Sequence, residues 1–164
     1  MELQQLRKEL AAEAKAAGIC QEWLEKIKAA PSREYLITLF VKGLDFGILH
    51  DFPSDRLAAE FDDIAPHYGI FVNRDGTWPA TNKKRVIARD AVVTPATFDG
   101  FSVAEVYALH GSGVEVNASG YAIVAITVEN GAQVVAKATD NAQVKIFHHG
   151  GQIKTSGNVK VINP

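Results

Sequence analysis

A chain of 164 residues is long enough for one ordinary domain or for two small units. Apolar residues make up 47% and charged residues 22%, the balance of a folded protein, and a net charge of −2 gives no global basic field for nucleic acid or an anionic membrane. The single cysteine, Cys20, excludes an intrachain disulfide and a zinc site built from several thiolates.

The N-terminal stretch MELQQLRKELAAEAKAAG mixes charged and apolar residues. It lacks the continuous apolar core of a signal peptide, and no apolar run in the chain approaches the length of a membrane span. A cytoplasmic setting is therefore expected. Leu3, Leu6, Leu10 and Ala14 recur at helical spacing and predict a first helix, with Gly18 as its stop. Trp23, Leu24 and Ile27 predict a short second helix from about Gln21, with Cys20 as a small apolar residue near its start. Pro31-Ser32 restarts the chain with Ser32 as N-cap, and Tyr35, Leu36, Leu39, Phe40 and Leu44 form the apolar face of a third helix. Pro53-Ser54 repeats that start signal before a fourth helix carrying Leu57, Phe61 and Ile64. Residues 1–69 thus read as a helical head.

The helical period ends at Gly69. Ile70-Phe71-Val72 predicts a strand and Asn73-Arg74-Asp75-Gly76 a turn. From Arg85 onward the apolar period is two. From Phe101 the chain divides into blocks of ten: FSVAEVYALH, GSGVEVNASG, YAIVAITVEN, GAQVVAKATD, NAQVKIFHHG. Even positions within each block are small and mostly apolar, among them Val114, Val124, Val134 and Val144. The preceding block fits the same phase through Val92, Thr94, Ala96 and Phe98. Every tenth residue (Gly100, His110, Gly120, Asn130, Asp140, Gly150) is a type that accepts positive φ or a close turn. Each block is therefore one strand and one corner, with one face buried.

An antiparallel meander and a β-solenoid both satisfy this alternation. The solenoid is favoured because stacked coils reward like residues at like positions, whereas a meander needs only matching polarity. The expected fold is α+β: a small helical bundle over 1–69 followed by a short β-solenoid over 70–164, two blocks to a coil. The tail ends GQIKTSGNVKVINP with a phase slip that brings Ile153 and Thr155 inward, and Lys154, Lys160 and Pro164 guard its open end. At the other end the head is expected to act as a cap. With blocks alternating between two faces, one outer face carries Val103, Tyr107, Ile123, Thr127 and Phe147. That face is too apolar for solvent and is expected to be covered by the head, by a second subunit or by a partner. The other face, with Gly113, Glu115, Asn117, Gln133, Val135 and Lys137, is read as polar.

The segments GICQEWLEKI at 18–27, VKGLDFGILHDFPS at 41–54 and HYGIFVN at 67–73 resemble small proteins of gut Bacteroidota, their phages and their integrated elements. Those proteins pair a short helical head with a repetitive β tail, and ENGAQV at 129–134 and DNAQV at 140–144 resemble their tail repeats. The resemblance spans most of the chain. It implies the solenoid and a mobile-element setting. It carries no activity, so it assigns no catalytic residue.

No nucleotide loop, dinucleotide fingerprint, zinc-protease motif or serine elbow is present. His148 and His149 are adjacent strand residues that point to opposite faces, and His110 and Asp140 sit at corners on opposite sides of the coil, so a metal site is not expected. His50-Asp51 and His67 could form an acid/base pair with Asp62 or Asp63, but a helix C-terminal histidine favoured by the dipole is the simpler reading. Trp23 and Trp78 read as core and docking residues. No catalytic residue, cofactor or metal is expected. The function expected is a non-enzymatic structural or protein-interaction module, binding a protein partner or a second copy. The alternative is a small-molecule binding or sequestering protein with a pocket at Trp78, Lys83, Lys84 and Arg85. A third reading is a carbohydrate-active enzyme.

Overall fold

The computed structural model describes all 164 residues. The chain divides into two compact units, Met1–Ala65 and Pro66–Pro164. The boundary lies a few residues before the one read from the sequence, because the short 3-10 turn Ala65–Tyr68 runs directly into the first strand.

The first unit contains five α-helices: α1 (Leu3–Ala16), α2 (Gln21–Ala29), α3 (Arg33–Lys42), α4 (Leu44–His50) and α5 (Asp55–Ala58). Helix α1 packs on α2 and α5, α2 on α3, and α3 on α4. Leu6, Leu10 and Ala14 are buried along one face of α1, as their spacing requires. Gly18 ends α1 with φ +90°, and the Gly18 and Ile19 amides return to the Lys15 and Ala14 carbonyls, a Schellman motif. The Ser32 hydroxyl accepts from the Tyr35 amide at 3.1 Å and caps α3.

Three sequence-based expectations for this unit are corrected. Tyr35 is not on the apolar face: it is 41% exposed, and Ile37 joins the expected Leu36 and Leu39 in the core. The third helix does not reach Leu44, because Gly43 breaks it, serving as both the end of α3 and the start of α4. The fourth helix is only α5, tightening into a 3-10 turn over Ala59–Phe61. Ser54 precedes it, yet its hydroxyl and amide both donate to the Glu13 carboxylate of α1, which anchors α5 through a tertiary contact and not a local cap.

The second unit is a parallel β-solenoid. Its strands are β1 (Ile70–Thr81), β2 (Arg85–Phe98), β3 (Val103–Leu109), β4 (Gly113–Ala118), β5 (Ile123–Val128), β6 (Gln133–Ala138), β7 (Gln143–His148), β8 (Gln152–Ser156) and β9 (Val159–Ile162). Every pairing is parallel, which excludes the meander. Odd strands β3, β5, β7 and β9 stack on one side, and β4, β6 and β8 on the other. Strand β2 bends through a corner, so its first half pairs with β3 and its second half with β4. Val103 lies over Ile123, Val114 over Val134 and Val124 over Val144, twenty residues apart in each case. Two ten-residue blocks therefore make one coil.

The interior is dry and thin. Val106, Val116, Ile126, Ala136 and Ile146 are completely inaccessible, and Val114, Val124, Val134 and Val144 nearly so. Successive coils close with one repeated hydrogen bond, from the amide of the second residue of a block to the carbonyl three residues back. These second residues (Ser112, Ala122, Ala132 and Ala142) are buried where the two sheets converge, a space too narrow for a larger side chain. The polar one, Ser112, accepts from the Ala91 amide at 3.2 Å.

Two details of the expected phase change. Val92 and Thr94 are not interior residues. Ala91 and Val93 point inward, Val92 is largely exposed, and a register shift between Val93 and Ala96 restores the even phase. Positive φ occurs at Asp90, Gly100, His110, Gly120 and Asp140 as the tenth-position rule requires, but it passes one residue on to Gly131 and Gly151. In the final coil Ile153 stacks on Val134 and Thr155 on Ala136, and the coil is shortened, with Val159 over Val144. Gly157 makes this tight return: φ is +79°, and a Cβ there would stand 1.8 Å from the Ala138 carbonyl oxygen.

Two predictions follow from this packing. Ile126→Ala is expected to lower the unfolding free energy by about 2–5 kcal/mol, whereas Ile123→Ala on the outer face stays within about 0.5 kcal/mol, as read by urea denaturation. Gly157→Ala should raise amide exchange in β8 and β9 while leaving β4 and β5 protected, because the clash opens only the terminal coil.

Candidate functional site

Coil stacking places equivalent outward residues in columns. Adjacent parallel strands lie about 4.8 Å apart, so two aromatic residues one coil apart come into contact face to face. Phe101 and Tyr121, the first residues of alternate blocks, form such a pair, with ring centroids 5.1 Å apart and planes 9° from parallel. Phe101 is 82% exposed and Tyr121 56%. Beside them Val103 and Ile123 stack in register, 68% and 51% exposed. These four side chains form an apolar patch at one corner of the solenoid. It ends at the next coil, where Gln143 follows Ile123 in the column.

Val103 and Ile123 thus face outward, as the strand alternation expects, and belong to the exposed patch. Tyr107, Thr127 and Phe147 align in a second column, but all three are half-buried. The column Glu105–Ala125–Lys145 runs between the two. Glu105 accepts from Arg85 Nε and from the Tyr107 hydroxyl, both at 3.3 Å, which gives this middle column a polar end. Phe101 and Tyr121 escaped the sequence reading because they lie in corners, outside the alternation that identifies strand faces. Their signal was the recurrence of an aromatic residue at a spacing of twenty.

The residues of the alternative pocket do different work. Trp78 packs against the solenoid interior with the Arg74 guanidinium 4.4 Å over its ring. Lys83 donates to the His67 carbonyl at 2.9 Å, Arg85 pairs with Glu105, and Lys84 is exposed.

The histidines and carboxylates are also separately placed. His110 Nδ1 lies 3.2 Å from Asp90, whose other carboxylate oxygen accepts from the Gly111 amide at 3.0 Å. Asp140 belongs to the other corner column and accepts from the Gly120 amide at 3.1 Å. His148 Nε2 donates to the Gly151 carbonyl at 2.9 Å and Nδ1 lies 3.1 Å from Asn163 Oδ1, so this ring ties the C-terminal segment to the last full coil. His149 is exposed. His50 lies in the last turn of α4 with its ring 4.5 Å from Phe46. Asp63 forms a two-bond ion pair with Arg33, both contacts at 2.8 Å. Cys20 is the exposed N-cap residue of α2. No group of three or more His, Cys, Asp or Glu is placed to hold a metal ion.

In the first unit the carboxylates are engaged along helix surfaces. Hydrogen bonds from Gln5 and then Arg56 hold the Glu9 carboxyl below its ordinary value, and Lys26 does the same for Glu22. No helix is long and apolar enough to cross a membrane. No family model, curated protein or solved structure matches the chain.

The stack itself is testable. A double-mutant cycle over Phe101→Ala and Tyr121→Ala should give a coupling of about 0.5–1.5 kcal/mol, and each single change should leave the circular dichroism spectrum unaltered.

Proposed function

We propose that the protein is a non-enzymatic interaction module whose solenoid offers a rigid apolar corner to a second copy of the chain. The observation that carries this reading is the exposed Phe101–Tyr121 stack beside Val103 and Ile123. Contiguous exposed apolar side chains on an otherwise polar surface mark contact sites. Rings already stacked on one another lose little conformational freedom on binding, which favours association. A second copy suits the patch because its own corner repeats the same rung spacing, so column can meet column along the stack. The mobile-element and cytoplasmic setting rests on the sequence resemblance and composition alone. The alternative pocket at Trp78, Lys83, Lys84 and Arg85 has less support, since Lys83 and Arg85 already have protein partners.

Light scattering over a concentration series tests this. The wild-type mass should rise with concentration, and Phe101→Lys and Tyr121→Lys should each hold the protein as a monomer with an unchanged circular dichroism spectrum. A wild-type protein that stays monomeric throughout would overturn the second copy as occupant.

A further inference from the structure

The first unit contains a groove between α1 and α2 with a volume of about 430 Å³. Its lining includes Arg7, Lys8 and Lys15 from α1 and Lys28 from α2, with Ala12 exposed between them and the buried Ala11 and Leu24 beneath. We propose that this groove binds a phosphorylated small molecule of nucleotide size, its phosphates held by Arg7, Lys8, Lys15 and Lys28 and its apolar body by Ala12 and the methylene stems of the lysines.

The charge distribution argues for an anion. Residues Met1–Ala65 contain twelve Asp and Glu against eight Lys and Arg, yet four of those eight cations line this one groove and no carboxylate does. The acidic residues of the same two helices are turned to other partners. Glu9 pairs with Arg56 at 2.6 Å, Glu13 with Ser54, and Glu22 with Lys26 at 2.8 Å, while Glu25 accepts from Gln21. Lys26, Arg33 and Arg56 are ion-paired, whereas Lys8, Lys15 and Lys28 have no ion pair. Arg7 Nη1 donates to the Ala30 carbonyl at 2.9 Å, which fixes the guanidinium while leaving its other N–H groups for a ligand.

Helical spacing explains the convergence. Lys8, Ala11 and Lys15 lie three or four apart on one face of α1, and Leu24 and Lys28 are four apart on α2. Packing α1 against α2 brings the two rows together. Four like charges around a small space repel, and an anion with more than one charge relieves that repulsion. The exposed lining between the cationic groups is mainly apolar, which distinguishes the site from a bare anion hole.

Calorimetry and thermal shift in magnesium-free buffer at physiological salt test the proposal with three probes. ATP presents charge and body together, tripolyphosphate the charge alone, and adenosine the body alone. ATP should raise the thermal midpoint and bind about ten-fold more tightly than tripolyphosphate, with no shift from adenosine. Lys8→Glu, Lys15→Glu and Lys28→Glu should each weaken ATP binding by about ten-fold or more. All three lysines are exposed, so each variant should keep the wild-type circular dichroism spectrum, and its own ligand-free midpoint is the baseline for the shift. Lys42→Glu makes the same charge change in the same unit outside the groove and should leave affinity unchanged. Absence of ATP binding, or an equal loss in Lys42→Glu, would overturn the site. Tripolyphosphate binding as tightly as ATP would overturn the role of the apolar lining. An oligoglutamate peptide or a short single-stranded RNA binding more tightly than ATP would overturn the small-molecule assignment.

Discussion

In-register parallel stacking of coils is the interaction on which the solenoid depends. Each strand satisfies its backbone groups with the strand one coil away, so a residue's neighbours on its own face are the residues at the same position in adjacent coils. Val114 must then pack beside Val134, and Val124 beside Val144. A side chain that suits the thin interior once suits it again at the next coil, which is why the chain repeats small apolar residues and not merely apolar ones. The contacts are nearest-neighbour in kind, so stability accumulates coil by coil and the last coil has a partner on one side only.

Corners set the dimensions of this interior. The sheets converge there, and the repeated turn hydrogen bond places an alanine or serine at the narrowest point. Left-handed φ is supplied by glycine at several corners and by Asp90, His110 and Asp140 at others, where a polar side chain also reaches a neighbour along the corner column. The acids and histidines that drew notice as chemical groups are in this sense part of the corner architecture. Asp90 and Asp140 accept backbone amides, and His148 holds the C-terminal segment.

The same stacking rule acts outside the interior. Where outward positions are charged they form short ladders, such as Arg85 with Glu105. Where they are aromatic they form the exposed Phe101–Tyr121 pair. A repeat that is neutral for folding can thus create a surface feature, because any residue recurring at twenty becomes its own neighbour. The helical unit concentrates charge by a different rule, helix period combined with the pairing of two helices.

Much of the solenoid was legible in the chain because alternation of two and recurrence at ten are local properties. They determined which side chains turn inward, the two-strand coil and the corner residues, with the slip at Val92–Ala96 and the shift of positive φ to Gly131 and Gly151 as the departures. Helix starts were legible at Ser32 through its cap, but the break at Gly43 and the shortness of α5 depended on packing. Surface sites were the least legible. Phe101 and Tyr121 lie twenty residues apart in sequence and touch only because parallel coils stack in register. Lys28 joins Lys8 and Lys15 only because α2 packs on α1. Sequence alone therefore determined the inside of the solenoid, where each residue answers to its own period, and tertiary structure decided the sites, where residues from separate elements must meet.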